Sequence, residues 1–405
     1  MSKDYTAIKV RLYPTKEQEA LFYKHANCCR FIWNYMLALQ IKNYNDVNKY
    51  IQEYDMHNLL PELKKNEEYI WLNEVSATSL QIICSDLHKA YVSFFKGITR
   101  YPKFKSKHKA KIAFPICSNR FYFTDNNTIQ IQKIGKVRYK TDRDNLIPKG
   151  NMHKFYNPRI KFINNKWILS FDVEYENQVL NNPIGRVGID LGIKTLATVS
   201  YFYNDYNGSD YEFYHNINKD NEMKRLERRK IHYQRVMARK RRVNNNYKVK
   251  CGDDKIRTCH SNNYKKVRKL YQDTEARLAN KRLDYIHKIT HNIINLKPEV
   301  ITMEDLKIKN MLKNPKLAPE IQKADWRKFR DIMEYKAKHN GIEFQLAPWW
   351  FPSSKICCRC KHKKKKLGLD ERIYVCKKCG LEIDRDLNAA INLQWFNYNR
   401  IYLNQ

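Results

Sequence analysis

The stretch Arg186-Val187-Gly188-Ile189-Asp190-Leu191-Gly192-Ile193-Lys194-Thr195-Leu196-Ala197-Thr198-Val199-Ser200 decides the fold. It reads as two strand-like runs around an aspartate flanked by glycines, with Val187 and Ile189 apolar and Asp190 at the strand's mouth. An acid at the mouth of a buried strand is costly unless it is paired or holds a cation. Further on, Pro298 stops a helix and Val300-Ile301-Thr302-Met303 forms a short buried strand that delivers Glu304; residues 342–346 read as another strand. This alternation of strand and helix predicts an α/β domain. In a parallel sheet the strand ends converge at one edge, where ligand sites form. A third acid, Asp386, begins a helix written Asp384-Arg385-Asp386-Leu387-Asn388-Ala389-Ala390-Ile391-Asn392. Three carboxylates gathered at one edge could hold two Mg²⁺ ions for in-line phosphodiester cleavage. Taken singly, each also has an ordinary reading: a turn residue, a salt-bridge partner, an acid in the first turn of a helix. Spacing alone does not bring them together.

Between Glu304 and Asp386 lies the strongest chemical signal, Cys357-x2-Cys360-x15-Cys376-x2-Cys379. Two Cys-x2-Cys knuckles present four thiolates in the tetrahedral arrangement that zinc prefers, and four sulfur ligands close the shell, so this metal is structural. Lys355, Arg359, Lys361, Lys377 and Lys378 around them are expected to lower the thiol pKa values. Cys358 is a spare thiol that fits the knuckle less well. Cys28, Cys29, Cys84, Cys117, Cys251 and Cys259 are scattered and read as small buried hydrophobes of a reducing compartment.

The 405 residues carry 77 Lys+Arg against 42 Asp+Glu, a formal charge of +35. Such an excess repels itself unless a polyanion neutralises it, and nucleic acid is the default partner. With 42% hydrophobic and 13% aromatic residues, collagen-like and wholly disordered readings are excluded. No stretch approaches the roughly 18–20 apolar residues of a spanning helix, and the N-terminus lacks the apolar core of a secretory signal, so an intracellular protein with no membrane partner is expected. Residues 219–250 read as one basic helix, with 13 Lys/Arg against 3 acids, too few acids to pair the bases. Its Arg228, Arg229, Arg235, Arg239, Arg241 and Arg242 suit phosphate contact without a sequence code. A second long helix follows, then one over 318–338. His287 and His291 lie four apart on the second long helix; with no third ligand in view they read as lining of a basic groove.

Upstream, residues 5–13 alternate apolar and polar as a half-buried strand, Pro14 ends it, and Thr15 with Gln18 makes a capping box that opens a helical block ending near Gly97. Phe121–Phe123, 128–132, 137–139, 159–163 and Lys166–Tyr175 are short β-prone runs, with Asn126-Asn127 and Asn164-Asn165 at hairpin turns. They predict an antiparallel barrel or sandwich that strand 5–13 joins from across the helical insertion. Lys103, Phe104, Lys105 and Lys107, bases interleaved with an aromatic, suit a surface that both stacks and neutralises.

The segments Gly188-Ile189-Asp190-Leu191-Gly192-Ile193-Lys194, Met303-Glu304-Asp305-Leu306, Pro352-Ser353-Ser354-Lys355 with its knuckle, and Asp384 to Asn392, in this order, resemble the TnpB/OrfB family of insertion sequences, related to Fanzor proteins and type V CRISPR effectors. Arg11-Leu12-Tyr13-Pro14-Thr15, Cys28-Cys29-Arg30-Phe31 with Asn34, residues 102–107, and Arg282, Asp284 and His287 extend the likeness over nearly the whole chain. The resemblance implies an RNA-guided DNA endonuclease of mobile-element origin. Its RNase H-like (RuvC) domain would span 183–352 and 381–405, with a basic helical insertion at 219–296 and a zinc ribbon at 353–380. Residues 1–14 and 99–182 would form a wedge β-barrel and 15–98 a helical recognition lobe. It further implies Asp190, Glu304 and Asp386 as the Mg²⁺-binding triad, with Asp386 chosen over Asp384. A guide RNA and a double-stranded DNA target would be the partners, met through Arg30, Asn34, Arg282 and His287 among others. A prokaryotic host would place the protein in the cytoplasm and nucleoid; a eukaryotic or viral one, in the nucleus or viral factory. Lys361 stands where many relatives carry glycine. A guided repressor without cleavage and a strand-joining transposase are the rival readings; the intact acid set speaks against the first.

Overall fold

The computed structural model describes residues 4–107, 110–124, 126–141, 147, 155–175, 180, 183, 185–203, 209–245, 248–251, 255–258, 261–368 and 371–396. They divide into two compact units, Met1–Glu176 and Asn177–Gln405.

In the first unit, β1 (Asp4–Tyr13) runs up to Pro14, and Thr15 then caps α1 (Lys16–Val47). Both halves of the capping box are made: Gln18 N–H donates to Thr15 Oγ1 at 3.2 Å, and Thr15 N–H to Gln18 Oε1 at 3.1 Å. Helices α2 (Glu53–Lys65) and α3 (Ala77–Phe95) complete the helical block, and Gly97 leaves it with φ +69°, open to glycine at no steric cost. Strands β2 (Ala113–Pro115), β3 (Phe121–Phe123), β4 (Thr128–Ile131), β5 (Gly135–Lys140), β6 (Tyr156–Ile163) and β7 (Lys166–Tyr175) join β1 in a seven-stranded antiparallel sheet of order β2-β6-β7-β1-β5-β4-β3. Asn164 and Asn165, both at positive φ, make the tight β6–β7 turn. β1 lies mid-sheet, its Leu12 opposite Trp167 on one side and Tyr139 on the other. Although β3 is four places from β7 in the sheet, the Phe123 and Phe171 rings sit 5.2 Å apart, so the sheet curls over its own aromatic core. Helix α1 closes that core with Phe22, packed edge-on against Trp167 at 4.9 Å. β2, Ala-Phe-Pro, ends on a proline, a residue depleted in strands, and so does not stand out in the sequence.

In the second unit, β8 (Arg186–Leu191), β9 (Thr195–Tyr203) and β10 (Ser209–His215) form an antiparallel meander. Next come α4 (Asn221–Asn245), a hairpin of β11 (Lys248–Cys251) and β12 (Lys255–Thr258), and α5 (Asn262–Asn295), capped by Ser261. β13 (Val300–Glu304) then enters the sheet. Short α6 (Ile308–Met311), α7 (Ala318–Ala324) and α8 (Trp326–His339) precede β14 (Glu343–Ala347). The five-stranded order is β10-β9-β8-β13-β14, with β8, β13 and β14 mutually parallel. A small β15 (Ile373–Val375) and β16 (Glu382–Asp384) pair leads into α9 (Arg385–Gln394).

Two expectations are corrected here. The basic helix ends at Asn245 rather than 250, because Lys248–Cys251 pairs with Lys255–Thr258 instead. The helix read over 318–338 is two helices, broken where Asp325 adopts φ 53°. Cys28, Cys29 and Cys84 are buried as expected and Cys117 is half-buried. The Cys251 side chain and Cys259 lie outside the described residues.

One face of the sheet packs Val187, Ile189, Ile301 and Met303 against Ile286, Ile289 and Ile293 of α5 and Phe329 and Met333 of α8. Because strand side chains alternate, Gly188 and Asp190 turn to the opposite face. Helix α9 lies there. A β-carbon on Gly188 would collide with the Ala390 carbonyl and the Gln394 backbone, so glycine is what lets the helix approach the strand.

Candidate functional site

Parallel register sets Ile189 beside Met303 and Gly188 beside Thr302, so Asp190 and Glu304 follow one step later on adjacent strands, about 4.8 Å apart in backbone spacing. Both lie on the α9 face by alternation. Asp386 sits in the first turn of α9, with Oδ2 at 4.0 Å from the position a Gly192 β-carbon would take. Burial pushes the Asp190 carboxyl well above the ordinary carboxylate range; the charges of Asp386 and Glu304 push it the same way, and Arg385 opposes them. Glu304 is pushed up to about 7, by burial first and by Asp305 second. Three distant stretches of sequence therefore form one electrostatic cluster. Like charges at close quarters resist joint ionisation unless a cation joins them.

Arginine side chains edge this cluster. Arg385 donates to Asp386 Oδ1 from Nε at 3.2 Å and from Nη2 at 3.1 Å, and Arg372 Nη1 approaches Oδ2 at 3.8 Å. The neighbouring Asp384 is otherwise engaged. Its Oδ1 accepts from the backbone N–H of Asp386 at 2.9 Å and of Leu387 at 3.0 Å, so it is the N-cap of α9.

At the knuckles, Cys357 and Cys379 sulfurs are 3.6 Å apart, Cys360 and Cys376 3.5 Å, and all four lie within 4.8 Å of one another. Tetrahedral zinc with bonds of about 2.3 Å needs sulfurs about 3.8 Å apart, so the donor set fits. Among the described residues this is the His/Cys/Asp/Glu group whose ligand atoms all meet that spacing; the three carboxylates are more widely spread. Acids spread in this way could serve two ions about 3.5–4 Å apart more readily than a single one. Burial drives the Cys357 thiol up, and it works against Cys376 too, yet the backbone N–H groups of Cys379 and Lys378 draw Cys376 down to about 6. Burial raises Cys360 as well, so the expected lowering of the thiols is met at Cys376, and there by backbone N–H groups rather than by the flanking lysine side chains. Both knuckles turn through a left-handed residue, Gly380 at φ 69° and Lys361 at φ 60°; Lys361 adopts the conformation glycine would supply and donates from Nζ to the Cys358 carbonyl at 3.0 Å.

The acids and the thiols are joined by two residues that sequence reading passed over. Asn388 and Asn392, four apart on α9 and fully buried, face the segment leading into the first knuckle. Asn388 Nδ2 donates to the Ile356 carbonyl at 2.7 Å while its Oδ1 accepts from Cys358 N–H at 2.9 Å. Asn392 Nδ2 reaches the Ile356 carbonyl at 2.6 Å and that of Ser353 at 2.9 Å. The legible signal was a pair of amides four apart in a helix otherwise filled by Leu387, Ala389, Ala390 and Ile391.

The expected nucleic-acid contacts fall into two groups. Arg228, Arg229, Arg235, Arg239 and Arg242 are exposed along α4 with no ion-pair partner among the described residues, and Arg241 is exposed while donating from Nε to Tyr264 at 2.9 Å. Lys103, Phe104 and Lys107 are exposed and Arg30 half-exposed. The others hold structure. Asn34 grips the backbone of Lys105, accepting from its N–H at 2.8 Å and donating to its carbonyl at 3.0 Å. The Lys105 ammonium lies 3.4 Å above the Trp33 ring. Arg282 spans Asn218 and Glu227 at 2.7 Å each, tying α5 to α4. His287 is half-buried and its carbonyl accepts from Lys336 at 2.8 Å. No described helix is long and apolar enough to cross a membrane.

Comparison with known proteins agrees with this layout. Residues 1–49 match the helix-turn-helix domain of OrfB from IS605, residues 170–315 the OrfB probable-transposase family, and residues 326–393 the Cas12f1-like TNB domain. A Streptomyces pristinaespiralis protein named "Putative RNA-guided DNA endonuclease" is 28% identical over 391 residues, 96% of this chain and 88% of its own. Escherichia coli K12 InsQ, which carries the same description, is 28% identical over 407 residues, 96% of this chain and 92% of its own. In fold, the chain is similar to Cas12f1 as seen in a complex with single-guide RNA and target DNA, at a TM-score of 0.53 and 13% identity, covering 97% of this chain and 99% of that one.

Proposed function

This chain belongs to the TnpB/OrfB family, and from that premise we propose that it is an RNA-guided DNA endonuclease whose hydrolytic centre is Asp190, Glu304 and Asp386. The observation that carries the reading is the convergence of these acids on the α9 face of the sheet, with Asp190 and Glu304 both shifted as acids that await a cation. Two Mg²⁺ ions, when bound, would supply an activated water and charge stabilisation for the leaving 3′ oxygen. Asp190 and Glu304 would hold them from rigid strands, and Asp386 from a helix that Gly188 admits. Arg385 neutralises Asp386 until cations take the acids. Cys357, Cys360, Cys376 and Cys379 would hold structural zinc.

The strand order β10-β9-β8-β13-β14, three antiparallel strands followed by two parallel ones, supports an RNase H-like (RuvC) reading of 183–352 and 381–405. The curled sheet and the helices it carries support a wedge barrel and a recognition lobe in the first unit. Guide pairing would read sequence while protein contacts hold the duplex shape and a short flanking motif. The exposed arginines of α4 and the +35 charge fit a bound guide RNA.

The test is direct. Purified chain with its co-purifying RNA, Mg²⁺ and a matched plasmid should yield breaks, and Asp190→Ala should abolish them while RNA binding stays intact. Full cleavage by Asp190→Ala would overturn the site.

A further inference from the structure

Of the chain's seven tryptophans, Trp33, Trp167 and Trp326 are buried and Trp71 and Trp395 half-buried, but Trp349 and Trp350 stand 55% and 59% exposed. They occupy the two corners of a turn closed by Phe351 N–H donating to the Pro348 carbonyl at 2.8 Å. Turn corners ordinarily take Gly, Asn, Asp, Ser or Pro. Nothing in the packing asks for two indoles here. The turn itself is held at both ends, by fully buried Ala347 and by Phe351, which packs edge-on against Phe396 at 4.9 Å. The rings are thus presented on a rigid support.

Their place in the sheet gives them a purpose. Ala347, two residues before Trp349, pairs with Glu304, and its carbonyl accepts from Asp305 N–H at 2.9 Å. Lys307, three residues beyond Glu304 and so at most about 11 Å from it along the chain, holds its ammonium 3.5 Å above one face of Trp349. A cation and two aromatic faces therefore adjoin the acid cluster. Flat bases stack on such rings whatever their sequence, and an adjacent lysine meets the phosphate. A protein partner would be served by a broader apolar face; the surrounding charge and the neighbouring acids favour a nucleic-acid strand.

We propose that Trp349 and Trp350, with Lys307, form a base-stacking step that guides one unpaired DNA strand into the acid cluster. This rests on the nuclease reading of Asp190, Glu304 and Asp386 and adds the residues that engage the substrate's bases. The two rings are positioning residues.

The probe is oligothymidylate. Added to the full chain with its RNA and carrying Asp190→Ala, it should quench tryptophan fluorescence saturably, because the two exposed rings dominate the accessible signal. Binding of labelled oligothymidylate, read by anisotropy, should weaken about tenfold or more in Trp349→Ala/Trp350→Ala and be restored by the paired Phe substitutions. In the cleavage-competent chain the double Ala change should raise KM with kcat little altered, at unchanged zinc content. Absence of quenching in the parent, or parent-like affinity and KM in the double Ala variant, overturns the stacking step. Should the double variant fold poorly, the parent's quenching still decides. If Asp190→Ala cleaves normally, the acid site falls, while the quenching result still reports on the tryptophans.

Discussion

At the scale of single residues, Asp384 and Asp386 show how two acids only two positions apart divide their work. Asp384 spends its oxygen on two backbone N–H groups; Asp386 projects toward Asp190. Asp384→Ala should therefore cost stability, about 1 kcal/mol as a lost helix cap, and lower cleavage by less than about tenfold, an order-of-magnitude allowance from that same cap energy. Asp386→Ala should eliminate cleavage with little change in melting temperature. Single-turnover cleavage and thermal melts on both variants check this, and equal loss of cleavage in the two would contradict the assignment. The choice between these acids was legible only through family resemblance. Capping geometry supplies the physical reason.

At the scale of elements, local rules carried the reading where structure is made locally. The strand before Pro14, the Thr15–Gln18 box and the Asn164-Asn165 turn all formed as short-range chemistry dictates. Partners distant in sequence were not visible in the same way. β10 forms because β9 offers an edge, and the end of the basic run becomes a strand because Lys255–Thr258 pairs with it. The link from α9 to the first knuckle is of this long-range kind. Asn388→Ala would strip the Cys358 N–H of its acceptor and the Ile356 carbonyl of one donor, at a cost of about 2 kcal/mol. Zinc should then be lost to a chelator faster than from the parent, and cleavage should fall although no acid is touched. Zinc-release kinetics measure the first and plasmid cleavage the second; parent-like release would remove the clamp from the account.

At the scale of the whole molecule, charge governs behaviour. The positive excess was readable by counting, while the gathering of the three acids needed the fold. That gathering has a pH signature. Glu304 has its carboxyl raised from 4.5 to about 7, chiefly by burial, and Asp190 is raised as well, so the folded chain binds protons more tightly than the unfolded one. Without divalent cations, stability is then greatest below the unfolded pKa and declines as pH climbs through the interval up to about 7. Melting in EDTA across this range should show the decline, Glu304→Gln should flatten it, and Mg²⁺ should raise the melting temperature most at the alkaline end. A melting temperature indifferent to Mg²⁺ at every pH would count against a cation site.

One helix carries both an acid of the cluster and the amides that grip the knuckle, and this makes α9 behave as a gear wheel with no slack. A residue inserted between Asp386 and Asn388 would swing the carboxylate about 100° around the axis, out of mesh with β8. The segment between Cys360 and Cys376 meshes with the same wheel, since its Arg372 Nη1 lies 3.8 Å from Asp386 Oδ2. An engineer wishing to shorten or graft onto this protein should leave both at their present length.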